Sequence, residues 1–262
     1  MLLAIDAGNT NITLGLFRAE ALVAQWRLGT VREKSSEDYG VEVRNLFTAA
    51  GFNLQDVEGA VIASVVPPLN EALARMVEVN FKLAPLFVDH TNAGIRVLYD
   101  DPFELGADRI VDAVAAVAKY EAPCVVVDFG TATTFNAINA NGEFIGGAIS
   151  PGLMTCAEAL FSRTAKLPRV KFERPEKLIA TSTEDAIQSG LYHGYAGLVD
   201  GMLKQMLDAM DGDPRVIATG GLATLIASAS QYIDKVDETL TLDGLRLVYE
   251  TSKTKDQRPE TS

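Results

Sequence analysis

Apolar residues near the start of the chain form short runs that end in turn-forming residues. Residues 2–5 and 12–17 are two such runs with a polar turn between them, and they predict a β-hairpin. Residues 22–28 predict a third strand. Residues 36–50 have the three- to four-residue apolar spacing of an amphipathic helix, for which we expect Ser36 to be the N-cap.

Strands and helices alternate over the rest of the chain. Apolar runs bounded by glycine, proline or polar residues predict strands at 60–66, 86–88, 124–128, 135–138, 144–149 and 216–218. Helical spacing predicts helices at 69–81, 106–118, 153–162, 183–193, 195–211 and 222–229. This alternation is typical of the α/β class. The last twelve residues, 251–262, are polar, and we expect them to be a frayed tail.

The opening pattern of the chain occurs a second time near its middle. LLAIDAGNTNITLGLF and CVVVDFGTATTFNAIN each contain an apolar strand, an Asp, one further residue, a Gly, a polar turn and a second strand. The two aspartates, Asp6 and Asp128, lie 122 residues apart. We therefore predict two related domains, residues 1–116 and 117–250, followed by the polar tail.

The charge balance limits the partners of this protein. It has 23 Lys and Arg against 35 Asp and Glu, a net charge of -12, which repels nucleic acid and anionic membranes. No apolar run approaches the length of a membrane span, and the first residues lack the basic start of a signal peptide.

The two cysteines, Cys124 and Cys156, do not have the spacing of a metal site, so we expect reduced thiols. The expected compartment is the cytoplasm.

The two Asp-Gly turns suggest a binding site for a phosphate chain. A glycine such as Gly8 lets backbone amides approach an anion, while Asp6 needs a cation between itself and a phosphate. Taken singly, the turn is equally a tight hairpin whose polar side chains satisfy its own backbone. With Asp128 and Gly130 as a second copy, the two turns could hold a phosphate chain from both sides of a cleft, with a divalent metal near one carboxylate. Thr219-Gly220-Gly221 is a further small-residue turn, either a nucleoside contact or an ordinary loop.

A loop at residues 101–109 has a different chemical character. Asp108 is expected in the first turn of a helix, where it is either a helix cap or a general base that accepts a hydroxyl proton. Arg109 could form a surface ion pair or bind a substrate carboxylate or amide.

Several common catalytic patterns are absent. The sequence contains no Walker P-loop and no protein-kinase motif set, and neither phosphate turn contains a Lys or Arg. The two histidines, His90 and His193, are isolated in the sequence, which argues against a histidine metal site or a Ser-His-Asp triad.

In combination, these residues resemble the type III pantothenate kinases over about residues 1–250. The resemblance rests on seven segments, in this order: Asp6-x-Gly-Asn-Thr10, Ser64-Val-Val-Pro67, Asp101-Pro102 with Gly106-Ala-Asp-Arg109, Asp128-Phe-Gly-Thr-Ala-Thr133, Gly146-Gly-Ala-Ile-Ser-Pro-Gly152, Thr164-Ala-Lys-Leu-Pro168 and Ala218-Thr-Gly-Gly221. One small departure is Ala63, where the family pattern has Ser. The resemblance implies the fold of actin, Hsp70 and the sugar kinases, which is two duplicated ribonuclease H-like α/β domains with the nucleotide cleft between them.

The resemblance also implies a reaction and a set of site residues. The reaction is ATP-dependent phosphorylation of pantothenate to 4'-phosphopantothenate, with Mg²⁺ and a monovalent cation, K⁺ or NH4⁺, and with a homodimer as the assembly. Asp108 matches the catalytic base, Asp128 a ligand of the monovalent cation, and Asp6 lies near Mg²⁺. The residues implied to contact ATP are Asp6, Ala7, Gly8, Asn9, Thr10, Asn11, Ile12, Thr13 and Thr131. The residues implied to contact pantothenate are Tyr99, Gly106, Ala107, Asp108, Arg109 and Thr183.

Other readings of the same residues remain. Tyr99 could be an aromatic at the edge of the core, and Thr183 could be a helix N-cap. A sugar or acetate-type kinase would have the same fold. A non-catalytic ATP-binding regulator would be expected to lack Asp108, and a polyphosphate phosphatase would need a Glu base that the segment around Gly106 does not contain.

Overall fold

A computed structural model describes residues 1–164 and 167–256 of the chain. Ala165 and Lys166, in the Thr164–Pro168 segment of the resemblance, and residues 257–262 of the expected tail lie outside the described residues. Packing divides the described residues into two compact units, one of residues 1–115 with 240–256 and one within residues 116–239.

The first unit is built on a five-stranded mixed sheet with the strand order β3-β2-β1-β4-β5. Its strands are β1 (Leu2–Ala7), β2 (Asn11–Arg18), β3 (Ala21–Gly29), β4 (Gly59–Ser64) and β5 (Leu86–Phe87). Its helices are α1 (Ser36–Ala50), α2 (Pro67–Phe81) and α3 (Ala107–Tyr120), which continues into the second unit, with short 3-10 turns at Leu54–Asp56 and Pro102–Glu104. The strand β1 is antiparallel to β2 and parallel to β4.

The second unit repeats this arrangement with the order β8-β7-β6-β9-β10. Its strands are β6 (Cys124–Phe129), β7 (Ala132–Ile138), β8 (Phe144–Pro151), β9 (Arg215–Thr219) and β10 (Lys235–Val236), and its helices are α4 (Leu153–Ser162), α5 (Thr183–Ala209) and α6 (Ala223–Ala227). As in the first unit, the opening strand is antiparallel to the second and parallel to the fourth. The expected duplicated α/β architecture is confirmed. No helix in the described ranges is long and apolar enough to cross a membrane.

The first sheet positions its turn by burying one face of the hairpin. Leu3, Ile5 and Ala7 alternate along β1 and pack in one cluster with Tyr39 of α1 and Leu73 of α2. Alternation sends Asp6 to the opposite face of the sheet, at the carboxyl end of β1. The core therefore determines which face of the sheet carries the carboxylate.

Several element ends differ from the sequence prediction. Ser35, and not Ser36, caps α1, because its side chain accepts a hydrogen bond from the Asp38 amide. The helix α2 begins two residues early, at Pro67, since proline is well suited to the first turn of a helix. The helix α5 is continuous from Thr183 to Ala209, although two helices were expected on either side of Gly194. Burial of Tyr192, Tyr195 and Ala196 offsets the helix-weakening effect of this glycine.

The C-terminal segment differs most from expectation. Residues 240–250 were assigned to the second domain and 251–262 to a frayed tail, yet a helix α7 (Leu240–Asp256) packs on β1 and β4 of the first unit. Leu242 lies against Gly15, the Tyr249 phenol occupies the space of a missing Cβ at Gly59, and Gly244 lies against the Val111 carbonyl. Two glycines distant in sequence, Gly15 and Gly59, and one glycine of the helix itself thus allow this close packing.

Candidate active site

The first Asp-Gly turn connects β1 to β2. Asp6 is in register with Thr13 on β2 and with Ala63 on β4, so its carboxylate lies at the end of the central strand. The Gly8 amide donates to the Asn11 carbonyl at 3.0 Å, and a Cβ on Gly8 would lie 3.2 Å from the same oxygen. This amide therefore forms a hydrogen bond within the turn, as in an ordinary hairpin.

The predicted nucleotide contacts in this turn differ in accessibility. The side chains of Ala7 and Ile12 are fully buried, so these two residues can contact a ligand only through their backbone. Asn9 and Thr10 are exposed at the tip, and Asn11 and Thr13 are half-buried. The exposed polar groups at the tip are the ones that a ligand can reach directly.

The second turn, between β6 and β7, has the same construction. Asp128 is in register with Thr134 on β7 and Thr219 on β9, and the Gly130 amide donates to the Ala132 carbonyl at 3.1 Å. Thr131 is exposed, whereas Thr133 is buried and shares a 2.6 Å hydrogen bond with the Tyr195 hydroxyl. Of these two turn hydroxyls, that of Thr131 is the accessible one.

The small-residue turn after β9 lies directly against Asp128. Gly220 has φ +90°, and a Cβ there would collide with the Asp128 carboxylate and lie 2.7 Å from the Phe129 amide nitrogen and carbonyl oxygen. Only glycine combines this backbone conformation with so close an approach. The sequence left this turn open as a nucleoside contact or a loop, and the structure adds that it confines one side of the carboxylate.

Each of the two turns offers a metal ion a single carboxylate, Asp6 in the first and Asp128 in the second. In the described residues, no three His, Cys, Asp or Glu side chains lie close enough together to hold a metal ion by themselves. Asp6 and Asp128 each end a strand beside exposed turn hydroxyls. A hard cation held by one carboxylate, with water and phosphate oxygens completing its shell, fits such a donor set.

Asp108 lies at the start of α3, in the first unit. Its Oδ1 accepts a 2.7 Å hydrogen bond from the Arg109 amide, and Asp108 keeps part of its surface accessible. Burial raises the pKa of this carboxyl, partly offset by the hydrogen bond and the charge of Arg109. A desolvated carboxylate of this kind holds a proton more readily than an ordinary Asp, which suits a general base.

Arg109 is buried and so does not lie at the surface, where one of the two interpretations placed it. Only 6% of the residue is exposed. Its Nη1 donates to the Tyr99 hydroxyl at 3.3 Å, and its guanidinium carbon lies 5.8 Å from the centre of the Tyr99 ring. The structure thus brings Tyr99, Arg109 and Asp108 together in the first unit.

Thr183 is the first residue of α5 in the second unit. The helix is capped by Ser182, whose hydroxyl accepts from the Asp185 amide at 3.1 Å and donates to the Asp185 carboxylate at 2.6 Å. The capping alternative for Thr183 is therefore wrong, and its side chain is exposed.

Two contacts in these turns were missed by sequence reasoning. Arg32, from the loop after β3, donates to the Asn9 side chain at 3.3 Å. Thr155 of α4 donates to the Thr131 carbonyl at 2.7 Å. Neither residue lies in a recognisable motif, so only the folded chain reveals them.

Replacing Gly106 with Ala should impair catalysis more than stability. A Cβ at Gly106 would lie 2.6 Å from Asp108 Oδ1 and 3.2 Å from Val65 Cγ1, so the carboxylate must move. We expect kcat to fall roughly 10- to 100-fold, as for a misplaced catalytic group, with little change in KM for the nucleotide. Steady-state kinetics check this, with Gly201→Ala in α5, where a Cβ meets no atom within 4 Å, as the control. An unchanged kcat for Gly106→Ala would contradict it.

Comparison with known proteins decides the family. A family model described as type III pantothenate kinase matches residues 2–205. The chain belongs to the type III pantothenate kinases. Its curated relatives include the type III pantothenate kinases of Koribacter versatilis, 48% identical with 99% of both chains covered, and of Halalkalibacterium halodurans, 47% identical with 95% of this chain and 98% of the relative covered. The family membership confirms the sequence resemblance.

Solved structures show the same fold at low identity. A Baf family transcriptional activator from Campylobacter jejuni has a TM-score of 0.60 at 19% identity, covering 96% of this chain and 99% of the activator. A 2-dehydro-3-deoxygalactonokinase-like protein from Sinorhizobium meliloti has a TM-score of 0.60 at 13% identity, covering 100% and 99% of the two chains. These likenesses establish the fold of the actin-like ATPases and sugar kinases for this chain.

Proposed function

We propose that this chain transfers the γ-phosphoryl group of ATP to the primary hydroxyl of pantothenate and releases 4'-phosphopantothenate and ADP. The observation that carries the proposal is the Tyr99–Arg109–Asp108 group in a chain of the type III pantothenate kinase family. It places a half-buried carboxylate of raised pKa next to a buried guanidinium. The first group suits an alcohol substrate and the second an acidic one, and pantothenate is both.

Asp108 is the general base of the proposed reaction. Its carboxylate accepts the hydroxyl proton as the substrate oxygen forms a bond to the γ-phosphorus and the bond from that phosphorus to the β-phosphate bridging oxygen breaks. Arg109 binds the carboxylate or amide of pantothenate, and its contact with Tyr99 holds the guanidinium in place. Gly106, Ala107 and Thr183 complete the proposed acceptor contacts.

The proposed phosphate contacts come from the residues of the two turns, Asp6–Thr13 and Thr131. Asp6 would hold Mg²⁺ directly or through water, and Asp128 would hold a monovalent cation, K⁺ or NH4⁺. Bound there, these cations would supply the positive charge that stabilises the phosphates. The support is the donor set, since each turn follows a strand that carries a single carboxylate near its end, and neither turn contains a Lys or Arg.

The remaining parts of the proposal concern the setting of the enzyme. As in the expectation from the family, the assembly is a homodimer and the compartment is the cytoplasm. The reaction is the first step of coenzyme A biosynthesis.

A coupled assay of ADP release tests the proposed function. With pantothenate as acceptor, ADP release should require K⁺ or NH4⁺, and replacing K⁺ with Na⁺ should reduce it strongly. Glycerol, acetate and simple sugars should give background rates. ADP release with a sugar or acetate but not with pantothenate would identify a different kinase, and ATP binding without ADP release would indicate a regulator.

A further inference from the structure

The loop between β3 and α1 lies directly against the first phosphate turn. Thr30 donates from its backbone amide to the Thr10 carbonyl at 3.0 Å and from its hydroxyl to the Gly8 carbonyl at 2.6 Å. Arg32 Nη2 donates to Asn9 Oδ1 at 3.3 Å. Each of the three residues at the tip of the turn therefore accepts a hydrogen bond from this loop.

A buried tyrosine holds the loop in this position. Tyr39 of α1 is 1% exposed, and its hydroxyl donates to the Val31 carbonyl at 3.1 Å and accepts from the Val31 amide at 3.3 Å. Both backbone polar groups of Val31 are thus bound to one rigid side chain. This fixes the residues on either side of it, Thr30 and Arg32, relative to the turn.

The loop carries two basic side chains, Lys34 and Arg32, and among the described residues only Lys34 is paired with a carboxylate. Lys34 forms an ion pair with Glu42 and lies over the Tyr39 ring. Arg32 is exposed, and no carboxylate in the described part of the chain pairs with it. Its partner, the Asn9 side chain, is neutral. The guanidinium therefore keeps an uncompensated charge and most of its donors at the tip of a turn that has no Lys or Arg of its own.

We propose that Arg32 binds the β- and γ-phosphates of the nucleotide, with Tyr39 as the residue that positions it. The proposal rests on the proposed binding of ATP at Asp6–Thr13 and adds a residue to that site. A guanidinium presents a planar set of donors that matches phosphate oxygens. An acidic protein, with a net charge of -12, thereby supplies a cation to a polyanion from a loop outside the turn.

Nucleotide affinity of the full chain tests the proposal without depending on catalysis. Dissociation constants for Mg-ATP and for AMP are measured by titration calorimetry for the wild type, Arg32→Ala, Arg32→Lys and Arg18→Ala. Arg18 is exposed at the opposite end of β2, roughly 25 Å along the strand from the turn, so it matches the change in net charge.

The expected results separate phosphate binding from a general charge effect. Arg32→Ala should bind Mg-ATP about 10-fold more weakly and AMP as tightly as the wild type, because AMP lacks the β- and γ-phosphates. Arg32→Lys should lie between the two, and Arg18→Ala should match the wild type. The difference in Mg-ATP affinity between Arg32→Ala and the wild type should become smaller as the salt concentration rises.

A second variant tests the positioning role. Tyr39→Phe removes the hydroxyl that holds Val31 and should weaken Mg-ATP binding while leaving AMP binding unchanged. Wild-type Mg-ATP affinity in Arg32→Ala, or an equal loss for AMP and Mg-ATP, would overturn the proposal. If the wild type binds ATP but does not phosphorylate pantothenate, only the proposed acceptor is refuted, and the role of Arg32 stands. If the wild type binds no ATP, both the proposed function and the role of Arg32 are refuted.

Discussion

Asp108→Asn should lower kcat for pantothenate phosphorylation by about 10³-fold while leaving the affinity for ATP nearly unchanged. The amide has nearly the same shape and still accepts the 2.7 Å hydrogen bond from the Arg109 amide. It cannot take the hydroxyl proton of the acceptor. The expected loss therefore falls on the chemical step and not on nucleotide binding.

Stability measurements separate this effect from misfolding. Burial raises the pKa of the Asp108 carboxyl in the folded protein, so the ionised form is disfavoured there relative to the unfolded chain. Ionisation of this group thus costs stability as the pH rises above the ordinary pKa of Asp. At neutral pH, Asp108→Asn should be at least as stable as the wild type in thermal unfolding.

The pH dependence of the wild type follows from the same shift. Below the raised pKa, Asp108 is protonated and cannot act as a base, so kcat/KM should fall with decreasing pH at a higher pH than an ordinary Asp would give. Asp100→Asn, which changes an exposed carboxylate in the preceding loop, is the control and should keep wild-type activity. Full activity of Asp108→Asn would rule out Asp108 as the base.

Gly220→Ala is the second variant for which we expect a large effect, and it acts on Asp128. The new Cβ would collide with the Asp128 carboxylate and with the Phe129 backbone, at a residue whose φ is +90°. The unfavourable φ alone costs about 1–3 kcal/mol, and the displaced carboxylate adds a functional loss. We expect a lower melting temperature and the loss of the proposed K⁺ activation of the kinase reaction.

The control for this variant is Gly212→Ala. Gly212 has nearly the same φ, +89°, but its Cβ would meet only Pro123, at 3.3 Å and beyond. It should show the backbone strain without the loss of K⁺ activation. For Asp128→Asn we expect the opposite pair of results, namely weak K⁺ activation and a near-normal melting temperature. Normal K⁺ activation in both Gly220→Ala and Asp128→Asn would remove Asp128 from the cation site.

Much of the fold could be predicted from the sequence because the two halves use strong local signals. Short apolar runs ended by Asp-x-Gly turns predicted both hairpins, and their repetition predicted the duplication. The ends of helices were less predictable, as Ser35 and Pro67 show, because neighbouring residues compete for the same cap. The C-terminal helix was misassigned because its packing depends on Gly15, Gly59 and Val111, which lie far away in the sequence.

The candidate site divides in the same way. The motifs named Asp6, Asp108 and Asp128, since carboxylates and glycines at strand or helix ends are a local pattern. The burial of Arg109 against Tyr99, and the contact of Gly220 with Asp128, depend on segments that meet only after folding. From spacing alone, Arg109 could therefore also be a surface ion-pair residue, and Gly220 could belong to an ordinary loop.

The sequence by itself determined the class of the protein, its duplication and the chemical groups of its phosphate turns, because these follow from local order and composition. It also showed that the turns contain no basic residue. Only the tertiary structure decided that Arg32 reaches the first turn. The position of Arg32 depends on its hydrogen bond to Asn9 and on the hydrogen bonds between the Tyr39 hydroxyl and the Val31 backbone. Pattern along a chain specifies secondary structure, whereas proximity between distant loops depends on the packing of the whole unit.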